Sequence, residues 1–130
     1  MKKIILIGAG GHAKSCIDVV ETEKKFRIIG LVDKKNNNNL LKYKIIGNNE
    51  DLKKIKTKAD YALITVGQIK NASLREELFK RAKNYNFKFP IIISPYSYVS
   101  KHSLIGEGTI IMHMAIINAN AKIGNNCIIN

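Results

Sequence analysis

Nowhere does the chain reach the roughly 18 consecutive apolar residues that a membrane-spanning helix needs, so a membrane span is excluded. The apolar run at residues 4–7 stops at Gly8, too short for the hydrophobic segment of a secretory signal, and no cleavage pattern follows. A cytoplasmic protein is expected. Cysteine is scarce: Cys16 and Cys127 stand far apart, with no partner ligands at metal spacing. Neither a disulfide framework nor a metal site is expected, and both read as small buried side chains. Acidic residues are few, 10 against 22 basic ones, leaving a net charge of +12. That excess invites a nucleic-acid partner. Yet only Arg27, Arg75 and Arg81 among the basic residues are arginines, and the lysines are not interleaved with aromatics as base stacking requires. Lys, Asn and Ile abound together, as A/T-rich codons would produce, so no nucleic acid is expected. Attraction to a phosphorylated small molecule is compatible with the charge. The content of 45% apolar and 25% charged residues is that of a globular chain.

What is present falls into two unlike parts. In the last third a β-branched apolar residue returns every six positions, at Ile93, Val99, Ile105, Ile111, Ile117, Ile123 and Ile129. Four places after each of the first six stands a small residue: Ser97, Ser103, Thr109, Ala115, Ala121 and Cys127. A period of six belongs neither to a helix nor to an ordinary strand. It marks a parallel β-helix in which each hexad forms one face of a triangular coil. Residues 94–130 are therefore expected to form the beginning of such a solenoid, about two coils, with an end that needs covering. The chain reads as a fragment, or as one whose end is covered by contacts between copies.

The first part alternates strands and helices. An apolar run at residues 3–7 leads into Gly8-Ala9-Gly10-Gly11-His12-Ala13, and residues 14–23 have helical spacing, with Cys16, Val19 and Val20 on one face. Strand, glycine turn and helix match the G-x-G-x-x-G/A pattern through Gly8, Gly10 and Ala13. Glycines let the backbone approach a phosphate, and the helix start offers unpaired N–H groups. The second strand, 26–32, ends in Asp33, where dinucleotide enzymes place the acid that holds a ribose hydroxyl. The rival reading is a glycine turn that only packs helix on strand. His12 can reach a phosphate or sugar, or cap the turn without any ligand.

Residues 34–39 form a polar loop with a run of asparagines, and 43–46 a short edge strand. Asn48 or Asn49 caps a short helix through Ile55. Residues 61–66 form a strand covered on both sides, ending at Gly67-Gln68, a ligand-binding position in open α/β sheets. The helix at 71–84 presents Leu74, Leu78, Phe79 and Ala82 as its apolar face, with Arg75, Glu76 and Lys80 outside it. Residues 89–93 form the last strand, with Pro90 suiting an edge. The result is an α/β fold, a small Rossmann-like parallel sheet over residues 1–93. At about half a dinucleotide domain, it favours a mononucleotide such as a nucleotide-sugar over NAD.

Three stretches together resemble one family: Ile4-Ile5-Leu6-Ile7-Gly8-Ala9-Gly10-Gly11-His12-Ala13-Lys14, Thr65-Val66-Gly67-Gln68 with Arg75 after it, and Ile117-Asn118-Ala119-Asn120-Ala121-Lys122-Ile123-Gly124. They are similar to the bacterial sugar acetyltransferases that acetylate sialic acids on oxygen or UDP-amino-sugars on nitrogen. The resemblance implies a Rossmann-like domain that binds the sugar nucleotide. It also implies a left-handed β-helix that trimerises and binds acetyl-CoA as co-substrate between neighbouring subunits. The substrate-site candidates it assigns are Gly8, Gly10, Gly11, His12, Asp33, Lys35, Gly67, Gln68 and Arg75. The family's catalytic histidine would follow the stretch beginning at Asn130, so no catalytic residue is expected within this chain. His102 and His113 are the remaining histidines; both fall in the repeat, where a solvated or interface position is expected. The rival functions are a non-catalytic nucleotide-sugar-binding module and an NAD(P)-binding oxidoreductase domain.

Overall fold

A computed structural model describes residues 1–34, 39–68 and 70–130. Lys35 lies outside the described residues. Strand β1 (Lys2–Ile7) is followed by helix α1 (Gly11–Glu23), β2 (Phe26–Val32), the short β3 (Ile45–Gly47), a 3-10 turn and α2 (Leu52–Ile55), β4 (Tyr61–Ile64) and α3 (Ser73–Asn84). The four strands make one parallel sheet in the order β3-β2-β1-β4. β1 and β4 are apolar at every central position because both faces of the sheet are covered. One face packs Ile4, Leu6 and Leu63 beneath Cys16, Ile17, Val19 and Val20 of α1. The other packs Ile5, Ile7, Ala62 and Ile64 against Leu52, Ile55, Leu78 and Ala82 of α2 and α3.

The helix ends follow local chemistry. α1 stops at Lys24, which takes a left-handed conformation while its N–H bonds to Val20 O. Before the 3-10 turn, Asn48 rather than Asn49 is the cap: its side chain accepts from Glu50 N, and Asp51 returns a bond to Asn48 N.

Two expectations need correction. The sheet has no full strand at 89–93. Only Lys88 bridges to Tyr61, because Pro90 has no N–H and the next amides turn elsewhere: Ile92 N bonds to Thr109 O and Ser94 N to Ile111 O. β5 (Ile92–Ile93) therefore belongs with the residues that follow it. On α3 the expected faces are partly reversed. Leu74 is 42% exposed and Arg75 only 2% exposed, because the guanidinium finds enough buried acceptors to replace its water.

From Ile92 onward the strands are two residues long and pair eighteen residues apart. β8 (Ile110–Ile111) lies between β5 and β11 (Ile128–Ile129). β6 (Tyr98–Val99) pairs with β9 (Ile116–Ile117), and β7 (Leu104–Ile105) with β10 (Lys122–Ile123). The chain thus returns over itself with three separate parallel ladders. All seven hexad positions, Ile93 through Ile129, share one apolar cluster. The corners are also spaced by six: Gly108, Met114, Asn120 and Asn126 all have positive φ, which Gly and Asn adopt at least cost. One face of this coil, bearing Ile92, Ile110 and Met112, joins the core beneath α1.

Candidate functional site

A cleft of about 700 Å³ opens at the carboxyl ends of β1, β2 and β4. It is where a parallel sheet leaves space for a ligand. Its floor is the glycine turn. Gly8 has φ +128 and lies so close to Val66 and Thr65 that no Cβ fits. Thr65 Oγ1 donates to Gly8 O at 2.7 Å, and Ala9 N donates to Asp33 Oδ2 at 2.9 Å. β4 and the end of β2 thereby hold the turn from two sides. Gly10 and Gly11 differ from Gly8: a Cβ built on either meets nothing within 4 Å. Their bareness serves no neighbour in the fold and leaves the start of α1 open to the cleft. α1 has no side-chain cap and no acid in its first turn. The helix itself thus supplies no counter-charge to its leading N–H groups and positive dipole end, the arrangement that suits a phosphate.

His12 lines the cleft beside Gly67, where a Cβ would come 3.3 Å from the imidazole stem. Its Nε2 is 3.2 Å from Cys16 Sγ. Burial, and then the Arg75 guanidinium, push the His12 pKa below its ordinary 6.5, so the ring is neutral at physiological pH. Burial also pushes the Cys16 thiol up to about 12, which keeps it protonated. The folded state resists protonating His12 while the unfolded chain does not. Its contribution to stability is therefore complete above 6.5 and lost as pH falls below that value. Denaturation at about pH 7.5 and 5.5 is expected to show a smaller acid loss in His12→Asn than in the unmodified chain.

Of the candidates, Gly8, Gly10, Gly11, His12, Asp33, Gly67 and Gln68 all line this cleft. Arg75 does not; it lies behind the β4 loop, its side chain turned to backbone carbonyls. The cleft also takes residues that were not among the site candidates. Thr65 stands as a buried polar residue at the end of an apolar strand, a signal that was available. Asn49 contributes a buried Oδ1 with no hydrogen-bond partner among the described residues. Ile128 and Asn130 close one side from the coil, and only the folded chain brings them there.

His113 lies away from the cleft. It has the carboxylate that its sequence neighbours lack: Nε2 is 2.9 Å from Asp18 Oδ2 of α1, and Nδ1 meets Ser94 Oγ. Nε2 thus ties the coil to the helix, while Nδ1 is engaged within the coil. Among the described residues no cluster of His, Cys, Asp and Glu could hold a metal.

A four-stranded parallel sheet with a bare glycine turn at a helix start defines a parallel-sheet α/β domain with an open cleft at its strand ends. Residues 3–82 match the family model described as the PglD N-terminal domain, and the chain belongs to that family. Among solved structures it is similar to a perosamine N-acetyltransferase from Caulobacter crescentus, a variant with one histidine replaced by asparagine, in complex with CoA and GDP-perosamine. The identity is 27% and the TM-score 0.92, over 100% of this chain and 60% of that one. It is also similar to the acetyltransferase domain of PglB from Neisseria gonorrhoeae in complex with acetyl coenzyme A, at 25% identity and TM-score 0.89, over 99% of this chain and 62% of that one. The chain thus spans about three-fifths of the length of these solved relatives. No curated protein matches the chain by sequence.

Proposed function

We propose that this chain supplies the nucleotide-sugar site of a sugar acetyltransferase that moves an acetyl group from acetyl-CoA to the amine of a nucleotide-linked amino-sugar. The observation that carries the reading is the open backbone at Gly10 and Gly11 over an uncapped helix start. There the diphosphate would meet N–H donors, with Asp33 and Asn49 lining the same cleft. The crystallised relative holding both CoA and GDP-perosamine favours an amino-sugar nucleotide over sialic acid as acceptor. In the transfer the amine nitrogen bonds to the thioester carbonyl carbon, the C–S bond breaks, CoA leaves as thiol and the amine gives up a proton. This chain's share is to hold and orient the sugar nucleotide; we assign the base for that proton to no residue here.

Residues 92–130 we read as the start of a left-handed parallel β-helix that bears the acetyl-CoA side of the reaction, and the residues before them as the nucleotide-sugar domain. Tyr96, Tyr98, Leu104, Met114 and Ile116 leave large apolar surfaces exposed on the coil. They support assembly as a homotrimer through that surface.

Gly11→Asp tests the site. The new side chain has room, and a carboxylate at a helix start favours the helix, while it opposes a phosphate. Calorimetry with UDP- and GDP-linked amino-sugars is expected to show binding that this substitution weakens at least about ten-fold, roughly 1.4 kcal/mol. Binding of NADH or free sialic acid in place of the nucleotide-sugars would overturn the proposal.

A further inference from the structure

Arg75 is among the largest side chains fully buried in the chain, at 2% exposed. Its Nη1 donates to Ile64 O at 3.1 Å and to Val66 O at 2.6 Å. Nη2 donates to Asn126 O and to Asn126 Oδ1, both at 2.9 Å. Asn126 Nδ2 returns a bond to Arg75 O at 3.1 Å. A guanidinium has five N–H groups, and the four on its η nitrogens are taken by the protein itself. Little donor capacity is left for a phosphate or sugar.

The acceptors lie on the two structures that flank the cleft. Ile64 ends β4, and Val66 belongs to the loop that lines the cleft through Thr65 and Gly67. Asn126 is a corner of the coil with φ 55, shortly before the cleft-lining Ile128 and Asn130. Asn126 itself does not line that cleft. A planar fork that satisfies carbonyls on both sides holds their separation and angle together, as a lysine's single ammonium cannot.

We propose that Arg75 is a positioning residue: with Asn126 it sets the β4-loop wall of the nucleotide-sugar cleft against the coil wall, so that the two move as one. This rests on the nucleotide-sugar reading of the cleft, and the two are separable by experiment. Affinity for a GDP- or UDP-amino-sugar is measured by calorimetry on the full chain and on Arg75→Met, Arg75→Lys, Asn126→Gly, Asn126→Asp and the double variant Arg75→Met/Asn126→Gly. Gly and Asp both tolerate the positive φ at Asn126, so the backbone there is kept.

Arg75→Met and Asn126→Gly are each expected to weaken binding about five- to ten-fold. The double variant is expected to be little worse than either, since neighbours in one network are non-additive. Asn126→Asp, which keeps an acceptor for the fork, is expected to restore most of the affinity, and Arg75→Lys is not. If Arg75 served the ligand directly as a charge, Lys would rescue and Asn126→Gly would bind normally; that outcome overturns the proposal. Hydrogen exchange provides a readout without ligand. Faster exchange at the Val66, Gly67 and Gln68 amides in Asn126→Gly supports the coupling, and unchanged exchange overturns it. Should the unmodified chain bind no nucleotide-sugar while exchange at those amides responds, the function reading falls and the coupling stands.

Discussion

Gly8→Ala is expected to destabilise the chain by about 2–5 kcal/mol, from strain at a conformation that L side chains rarely adopt and from overpacking against backbone. The φ of +128 accounts for the first part. The second comes from a Cβ that would sit 2.7 Å from Val66 N and 2.9 Å from Thr65 C. Neither atom can retreat. Thr65 N is bonded to Ile7 O, and Thr65 Oγ1 to Gly8 O, so moving them unzips the end of the β1–β4 ladder. For a domain whose whole stability is about 5–15 kcal/mol, such a loss is a large part of the total. Urea denaturation of Gly8→Ala beside Gly11→Ala checks it. The second substitution meets no atom within 4 Å and replaces the poorer helix former. It is expected to leave stability at or slightly above that of the unmodified chain. Equal losses in the two variants would show that the close approach at Gly8 is relaxed in solution.

The second large effect contrasts two isoleucines that occupy the same place in successive hexads. Ile110 precedes Ile111, and Ile116 precedes Ile117. Ile110 is fully buried in the core shared with Ile4, Leu6 and α1, whereas Ile116 is 68% exposed. Ile110→Ala is expected to cost about 2–5 kcal/mol, the transfer term plus the cavity left between sheet and coil. Ile116→Ala in the monomeric chain is expected to stay within about 0.5 kcal/mol. Thermal and urea denaturation of the two variants at low protein concentration measure the difference. A small loss at Ile110 would mean that coil and sheet are not joined through this core. A large loss at Ile116, growing with protein concentration, would reveal that copies already associate through that face.

These cases show how far the sequence alone carries. The glycine turn, the strand-helix alternation and the hexad spacing were legible because each is a local pattern with a single physical cause: steric freedom at glycine, burial periodicity, and a backbone corner every six residues. Seven Ile and Val positions named from spacing alone do meet in one cluster. Most of the cleft was legible for the same reason, since Gly8, Gly10, Gly11, His12, Gly67 and Gln68 all sit where β1 and β4 end.

What failed was everything that depends on a distant partner. A helical wheel places Arg75 outside the apolar face, and it is the buried carbonyls of Ile64, Val66 and Asn126 that draw it in. The strand expected at 89–93 lost to competition: only Lys88, just before it, stays with the sheet, while the amides of Ile92 and Ser94 find their acceptors in the coil. His113 met a carboxylate ninety-five residues away in Asp18.

The sequence by itself determined the two kinds of local order, a glycine turn on a parallel α/β sheet and a coil of six-residue faces. Only the tertiary structure decided how they are joined: which outward face of the coil α1 covers, and which side chains span the seam. Local periodicity fixes the direction in which a residue points along its own element. Burial of Ile110 and of Arg75 depends on what lies opposite, and that is supplied by residues far away in the chain.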